Sequence, residues 1–205
     1  MRSVSTPISS LLPTGVPPGS SPPSAADVIM LIRHAEKPTG AGSPTGVTAD
    51  GRESAGSLTV SGWTRAGALV GLFAPAHGEP PAGLVRPTVV WAADPRGDEG
   101  QRPQQTVTPL AARLGVAVNT RFGKGQEADL ATQLIASHGN ALVAWQHQEL
   151  PAIIAHLGQV TPMPPPKWPG ERYDLVWVFA RNGSGWYFTQ VPQLLLAGDR
   201  PDSIV

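Results

Sequence analysis

The chain has 205 residues, 40% of them hydrophobic, which is enough for one α/β domain with a substantial core. Its 15 basic residues balance 15 acidic ones, so no general electrostatic pull toward nucleic acid or an anionic membrane is expected. Cysteine is absent, which excludes disulfides, thiolate catalysis and cysteine-based zinc sites, and no apolar run approaches the ~20 residues that cross a bilayer.

Residues 1–26 are dominated by Pro, Ser and Gly. Their few apolar side chains cannot offset the entropy of ordering them, which predicts a flexible or polyproline-II arm. Arg2 is followed by no apolar stretch, because Leu11-Leu12 is cut short by Pro13. A cleavable secretory leader is therefore not expected, and a cytoplasmic location is.

The folded domain is expected over residues 27–205. Residues 28–32 form a continuous apolar run, the pattern of a strand buried on both faces, and it ends at Arg33-His34. Residues 38–57, rich in Gly, Ser, Thr and Pro, read as a long loop. Thr59 or Ser61 then caps a helix with Trp63, Ala66, Leu69, Val70 and Phe73 at helical spacing. A second buried strand covers 87–93, and a polar loop covers 94–103. A helix is predicted over 104–114 despite Pro109, a short strand over 116–118, and another helix over 128–137. Residues 141–145 form a third buried strand, which ends at Gln146-His147. A helix over 150–157 tolerates Pro151 in its first turn, and a Pro-rich loop covers 161–170. Strands over 173–181 and 186–191 flank Asn182-Gly183-Ser184-Gly185, a hairpin signal. The alternation predicts an α/β fold, a three-layer α/β/α sandwich with a mostly parallel mixed sheet and an antiparallel edge hairpin.

In open α/β sheets ligands bind beyond the carboxyl ends of the strands. Two strands here end in histidine, His34 and His147, and the strand over 87–93 opens into the loop that bears Arg102. Two arginines and two histidines are thus deliverable to one place, a set suited to phosphoryl transfer. Arginine offers fork-like donors to phosphate oxygens, and a neutral imidazole is a nucleophile that divides hydrolysis into two steps. No His-Glu-x-x-His motif occurs, and His147 with Glu149 is a poor chelating spacing, so no metal or other cofactor is expected.

Leu31-Ile32-Arg33-His34-Ala35-Glu36-Lys37-Pro38 resembles the signature of the histidine phosphatase superfamily, the phosphoglycerate-mutase-like proteins. Leu58 to Ala66 resembles the helix that follows it, and Arg102-Pro103-Gln104-Gln105-Thr106 the second arginine with its Gln-Thr pair. The strand ending in His147 resembles the second-histidine strand. The ordered resemblance spans residues 28–157. It implies that His34 is the phosphorylated nucleophile, and that Arg33, Arg102 and His147 hold the phosphoryl oxygens. Lys37 stands where one branch carries a further arginine and would bind substrate. Two departures stand out. Ala35 replaces the usual glycine after the nucleophile, and alanine does not readily take φ > 0. Gln146 replaces a glycine before the second histidine. For the proton donor the resemblance favours Glu149, two residues after His147, with Glu36, Asp98 and Glu99 as rivals.

The expected activity is a cofactor-free hydrolysis of small phosphate monoesters, with no nucleic-acid or membrane partner. Two alternatives stay open, a protein phosphohistidine phosphatase and a non-catalytic module that binds a phosphorylated ligand. A mutase fits less well, because residues 35–38 do not resemble those of the mutases. Arg65 reads as a helix-surface or structural residue, and His77, His138 and His156 as surface residues. Trp91, Trp145 and Trp177 read as core, while Trp168 is either core or pocket lining.

Overall fold

The computed structural model describes residues 27–95 and 100–205. The expected arm at 1–26, and with it Asp98 and Glu99, lies outside the described residues.

Strand β1 (Val28–Arg33) is buried along its whole length. It lies mid-sheet, parallel to β4 (Asn140–Trp145) on one side and antiparallel to β6 (Leu175–Asn182) on the other. Beyond β4 come β2 (Val89–Ala92) and the two-residue β3 (Val118–Asn119), both parallel to their neighbours. Beyond β6 come β7 (Gly185–Pro192), antiparallel to it, and β5 (Val160–Thr161), parallel to β7. The resulting order is β3-β2-β4-β1-β6-β7-β5. The expected mixed, mostly parallel sheet is observed. One detail differs: the hairpin sits one strand in from the rim, because β5 covers its outer edge. Two residues before Pro162 carry no periodicity, so sequence could not reveal β5.

Period-two alternation divides the core into two faces. Ile29, Leu31, Ala141, Val143 and Trp145 point to one face, under α3 (Glu127–Ala136) and α4 (Leu150–Ala155). Met30, Ile32, Leu142 and Ala144 point to the other, under α1 (Val60–Phe73) and α2 (Arg102–Leu114). Hence the continuous apolar runs seen in β1 and β4: both faces are covered.

Thr59 caps α1, its side chain accepting from the Gly62 amide at 3.2 Å. Helix α2 begins at Arg102, two residues earlier than expected, because Pro103 fits the first turn, where no N–H is required. It runs through Pro109 and ends at Gly115 in the left-handed conformation. Among the described residues no helix is long and apolar enough to cross a membrane.

Candidate functional site

Strands β1 and β4 end level, with Arg33 opposite Trp145. The His34 amide donates to the Trp145 carbonyl at 3.0 Å, so His34 leaves the sheet at the end where His147 follows β4. The chain after β2 returns there as the first turn of α2, bearing Arg102. Because β6 runs antiparallel to β1, the segment that leads into it, residues 170–174, also reaches this end.

His34 is 4% exposed. Its Nδ1 lies 2.7 Å from the Ala35 carbonyl, which only accepts, so Nδ1 carries the proton and Nε2 keeps its lone pair. Burial, and next the charge of Arg33, push its pKa down to about 3. The turn after it is clamped from several sides. The Ala35 amide donates to Thr106 Oγ1 at 2.8 Å, and that hydroxyl donates to the Arg102 carbonyl at 2.7 Å. Gln105 accepts from the Leu58 amide at 2.9 Å and donates to Ser57 Oγ at 3.0 Å. The Gln-Thr pair thus ties α2 to both loops of the site.

Ala35 meets the glycine position without strain. Among the described residues Leu194 is the one non-glycine with positive φ, so the turn after His34 does not require a left-handed residue. The Ala35 methyl packs with Leu58, Ala66 and Trp63 instead.

Arg33 is 1% exposed. Its Nη1 donates to the Gly170 carbonyl, and its guanidinium stacks 3.7 Å from the centroid of the Tyr173 ring. Nε and Nη2 are buried with no hydrogen-bond partner, and Arg33 forms no ion pair with a carboxylate among the described residues. Burial lowers its pKa to about 10. A buried cation with idle donors is costly, and an anion would satisfy it.

Arg102 donates from Nε to the Ser57 carbonyl at 3.2 Å and from Nη2 to the Ala55 carbonyl at 2.6 Å. Its charge and that of Lys37 are both felt at His34. Lys37 is itself less basic than usual, through burial first and then through Arg102 and Arg33. His147 is half-buried, with Nδ1 buried and unpartnered. Burial, then Arg33 and Lys37, push its pKa down to about 4, while the charge of Glu171 opposes them. A Cβ on Gly170 would lie 3.4 Å from His147 Nε2, so that glycine packs closely against the ring. The structure therefore brings Arg33, His34, Lys37, Arg102 and His147 to one end of the sheet.

The acidic candidates lie differently. Glu149 pairs with Lys124 at 2.8 Å and occupies the N-cap of α4. Glu36 receives Arg65 Nε at 2.9 Å and Nη2 at 2.8 Å. Arg65 is buried and also holds Asp199 and Gln193, so it is a structural residue tying the His34 loop to the chain near the C-terminus.

Sequence reasoning missed Gly170, Glu171 and Tyr173. Nothing local marks them; they reach the site because β6 pairs antiparallel with β1. The alternative that Trp168 lines a pocket is not met. It is buried, donates to the Arg172 carbonyl at 2.7 Å, and lies 4.8 Å from Trp177, as part of the core. His77, His138 and His156 are exposed. Among the described residues no three His, Asp or Glu side chains are grouped to hold a metal.

No family model matches the chain, and no curated protein matches it. Solved structures do. The chain is similar to the protein histidine phosphatase SixA complexed with tungstate, at TM-score 0.52 and 13% identity, over 81% of this chain and 97% of that one. It also resembles a phosphoserine phosphatase mutant from Entamoeba histolytica in complex with phosphoserine, at TM-score 0.49 and 12% identity, over 80% and 95%. A third is the alpha-ribazole phosphatase from Shigella flexneri, at TM-score 0.44 and 14% identity, over 79% and 94%. At 13% identity the likeness to the first of these is one of fold.

Proposed function

We propose that this chain, which has the fold of a histidine phosphatase, hydrolyses phosphate monoesters through a phosphohistidine on His34. The observation that carries this reading is Arg33. A guanidinium that is fully buried, without a carboxylate and with two idle donors, sits next to a neutral imidazole whose proton is committed to Nδ1. Such a pocket is incomplete without an anion and supplies a nucleophile beside it.

In this mechanism the free Nε and Nη2 of Arg33 receive two phosphoryl oxygens. Arg102, Lys37 and His147 supply further positive charge or donors where negative charge is spread in the transition state. His34 Nε2 attacks phosphorus as the ester P–O bond breaks, and the leaving oxygen takes the electron pair. The ring gains positive charge, and its Nδ1–H bond to the Ala35 carbonyl steadies it. Water then attacks phosphorus, the N–P bond breaks, and inorganic phosphate leaves.

Rapid acid-free quenching during turnover of nitrophenyl phosphate tests this. Acid-labile phosphate is expected on His34 and none in the His34→Ala variant. Phosphate on another residue, or binding of phosphorylated ligands with no turnover at all, would replace this reading with a different nucleophile or with a binding module.

A further inference from the structure

A cleft of about 210 Å³ opens beside the phosphate pocket. Its lining includes Glu171 and Tyr173, whose ring stacks on Arg33, together with Ser61 of α1 and Arg200. We propose that this cleft receives the leaving alcohol of a small polar phosphate monoester, and that Glu171 protonates the departing oxygen. The inference rests on the phosphatase reading above.

Position is the first argument. Glu171 lies between Gly170, whose carbonyl takes Arg33, and Tyr173, whose ring stacks on Arg33 and lies 6.3 Å from that of His34. The segment is held firmly. Arg172 is buried, its amide donates to the Pro169 carbonyl at 3.2 Å, and its side chain binds Asp174 at 2.7 Å and the Asp202 carbonyl at 2.7 Å. Glu171 is thus an exposed carboxylate on a fixed backbone, lining the cleft and two residues from the Tyr173 ring that stacks on Arg33.

Availability is the second argument. The other carboxylates near the cleft each pair with a guanidinium: Glu36, through Oε1 alone, and Asp199 with Arg65, Asp174 with Arg172, and Asp202 with Arg200; Glu36 Oε2 is buried without a partner, not open to the cleft. Glu149 is committed to Lys124. Glu171 forms no hydrogen bond or ion pair among the described residues. Its charge is nevertheless felt at Arg33 and His147 on one side and at Arg200 on the other, which agrees with a place between phosphate and leaving group.

The step balances. As His34 Nε2 bonds to phosphorus, the P–O bond breaks and the leaving oxygen takes both its electrons. The Glu171 carboxyl gives that oxygen its proton, and a neutral alcohol departs into the cleft. The carboxylate then accepts a proton from the water that attacks the phosphohistidine, which restores Glu171 and His34 together.

Two variants test the inference, with glycerol phosphate and nitrophenyl phosphate as probes. Glu171→Gln is expected to slow glycerol phosphate by about 10²-fold or more, the scale of a general acid. The single-turnover rate at which nitrophenyl phosphate phosphorylates His34 should be nearly unaffected, since that leaving group departs without a proton. Ser61→Trp, which fills the cleft, should raise KM for glycerol phosphate and leave inhibition by inorganic phosphate unchanged. With an active wild type, equal losses in the single-turnover phosphorylation of His34 by both esters, or none with either, would overturn the role of Glu171. An unchanged KM in Ser61→Trp would overturn the place of the alcohol. A wild type that turns over neither ester would sink the phosphatase reading itself, and this inference with it.

Discussion

The guanidinium of Arg33 lies 3.7 Å from the centroid of the Tyr173 ring, yet Tyr173 leaves two of its donors unanswered. Stacking of this kind contributes about 2 kcal/mol when desolvated, against a burial penalty of several kcal/mol for the ion. Arg33 also donates to the Gly170 carbonyl, but its two remaining donors stay unpaired, a cost that a bound anion offsets. Arg33→Met should leave the ligand-free protein as stable as the wild type or more so. The same change should cut phosphatase activity by roughly 10²–10³-fold, the scale for removal of a transition-state donor. Inorganic phosphate should raise the Tm of the wild type and not that of the variant. A variant that is much less stable, or one that phosphate still stabilises, would mean that Arg33 serves packing and not anion binding.

Acid should act on this site later than on an ordinary histidine. The folded-state pKa values of His34 and His147 lie at about 3 and about 4, below the usual 6.5. Below pH 6.5 the unfolded chain takes up protons that the folded chain does not. Their contribution to stability is thus complete above pH 6.5 and is lost as pH falls toward these values. The nucleophile itself stays neutral through that window. The acid limb of kcat/KM should accordingly lie near pH 3–4, while denaturant midpoints already decline below pH 6.5. A kcat/KM limb at pH 6–7 that does not follow the substrate's own phosphate ionisation, at pH ~6, would contradict the burial of His34 beside Arg33.

Much of this was legible in the chain because it is local. Residues 28–32 and 141–145 are continuous apolar runs, and each has a histidine within two residues of its end, so strand ends and site coincide. Arg102 was legible because it stands in the loop that follows the 87–93 strand, ahead of a Gln-Thr pair, although the helix there begins two residues earlier than expected. The segment 170–173 was not. Its residues carry no periodicity, and their arrival beside Arg33 depends on β6 lying antiparallel to β1, a pairing between residues far apart in sequence. The sequence pointed to Glu149 as proton donor through the resemblance and through its place two residues after His147. Nearness to His147 along the chain is visible in a sequence, whereas the ion pair of Glu149 with Lys124 is not.

Two glycines of α1 separate close approach from mere helix propensity. A Cβ at Gly62 would lie 2.5 Å from the Glu36 carbonyl oxygen, whereas one at Gly67 would meet nothing within 4 Å. That carbonyl already accepts from the Thr59 amide at 3.0 Å, and it belongs to the turn that follows His34. Gly62→Ala must push either the helix or this turn outward. It should cost roughly 1–3 kcal/mol, as overpacking does, and lower kcat by moving the nucleophile. Gly67→Ala should instead stabilise the protein by about 0.5–1 kcal/mol, since alanine loses less backbone freedom in a helix, and should leave kcat unchanged. Urea denaturation and steady-state rates on the two variants check the contrast. If Gly62→Ala matched Gly67→Ala in both, the helix would not be what holds the His34 turn in place.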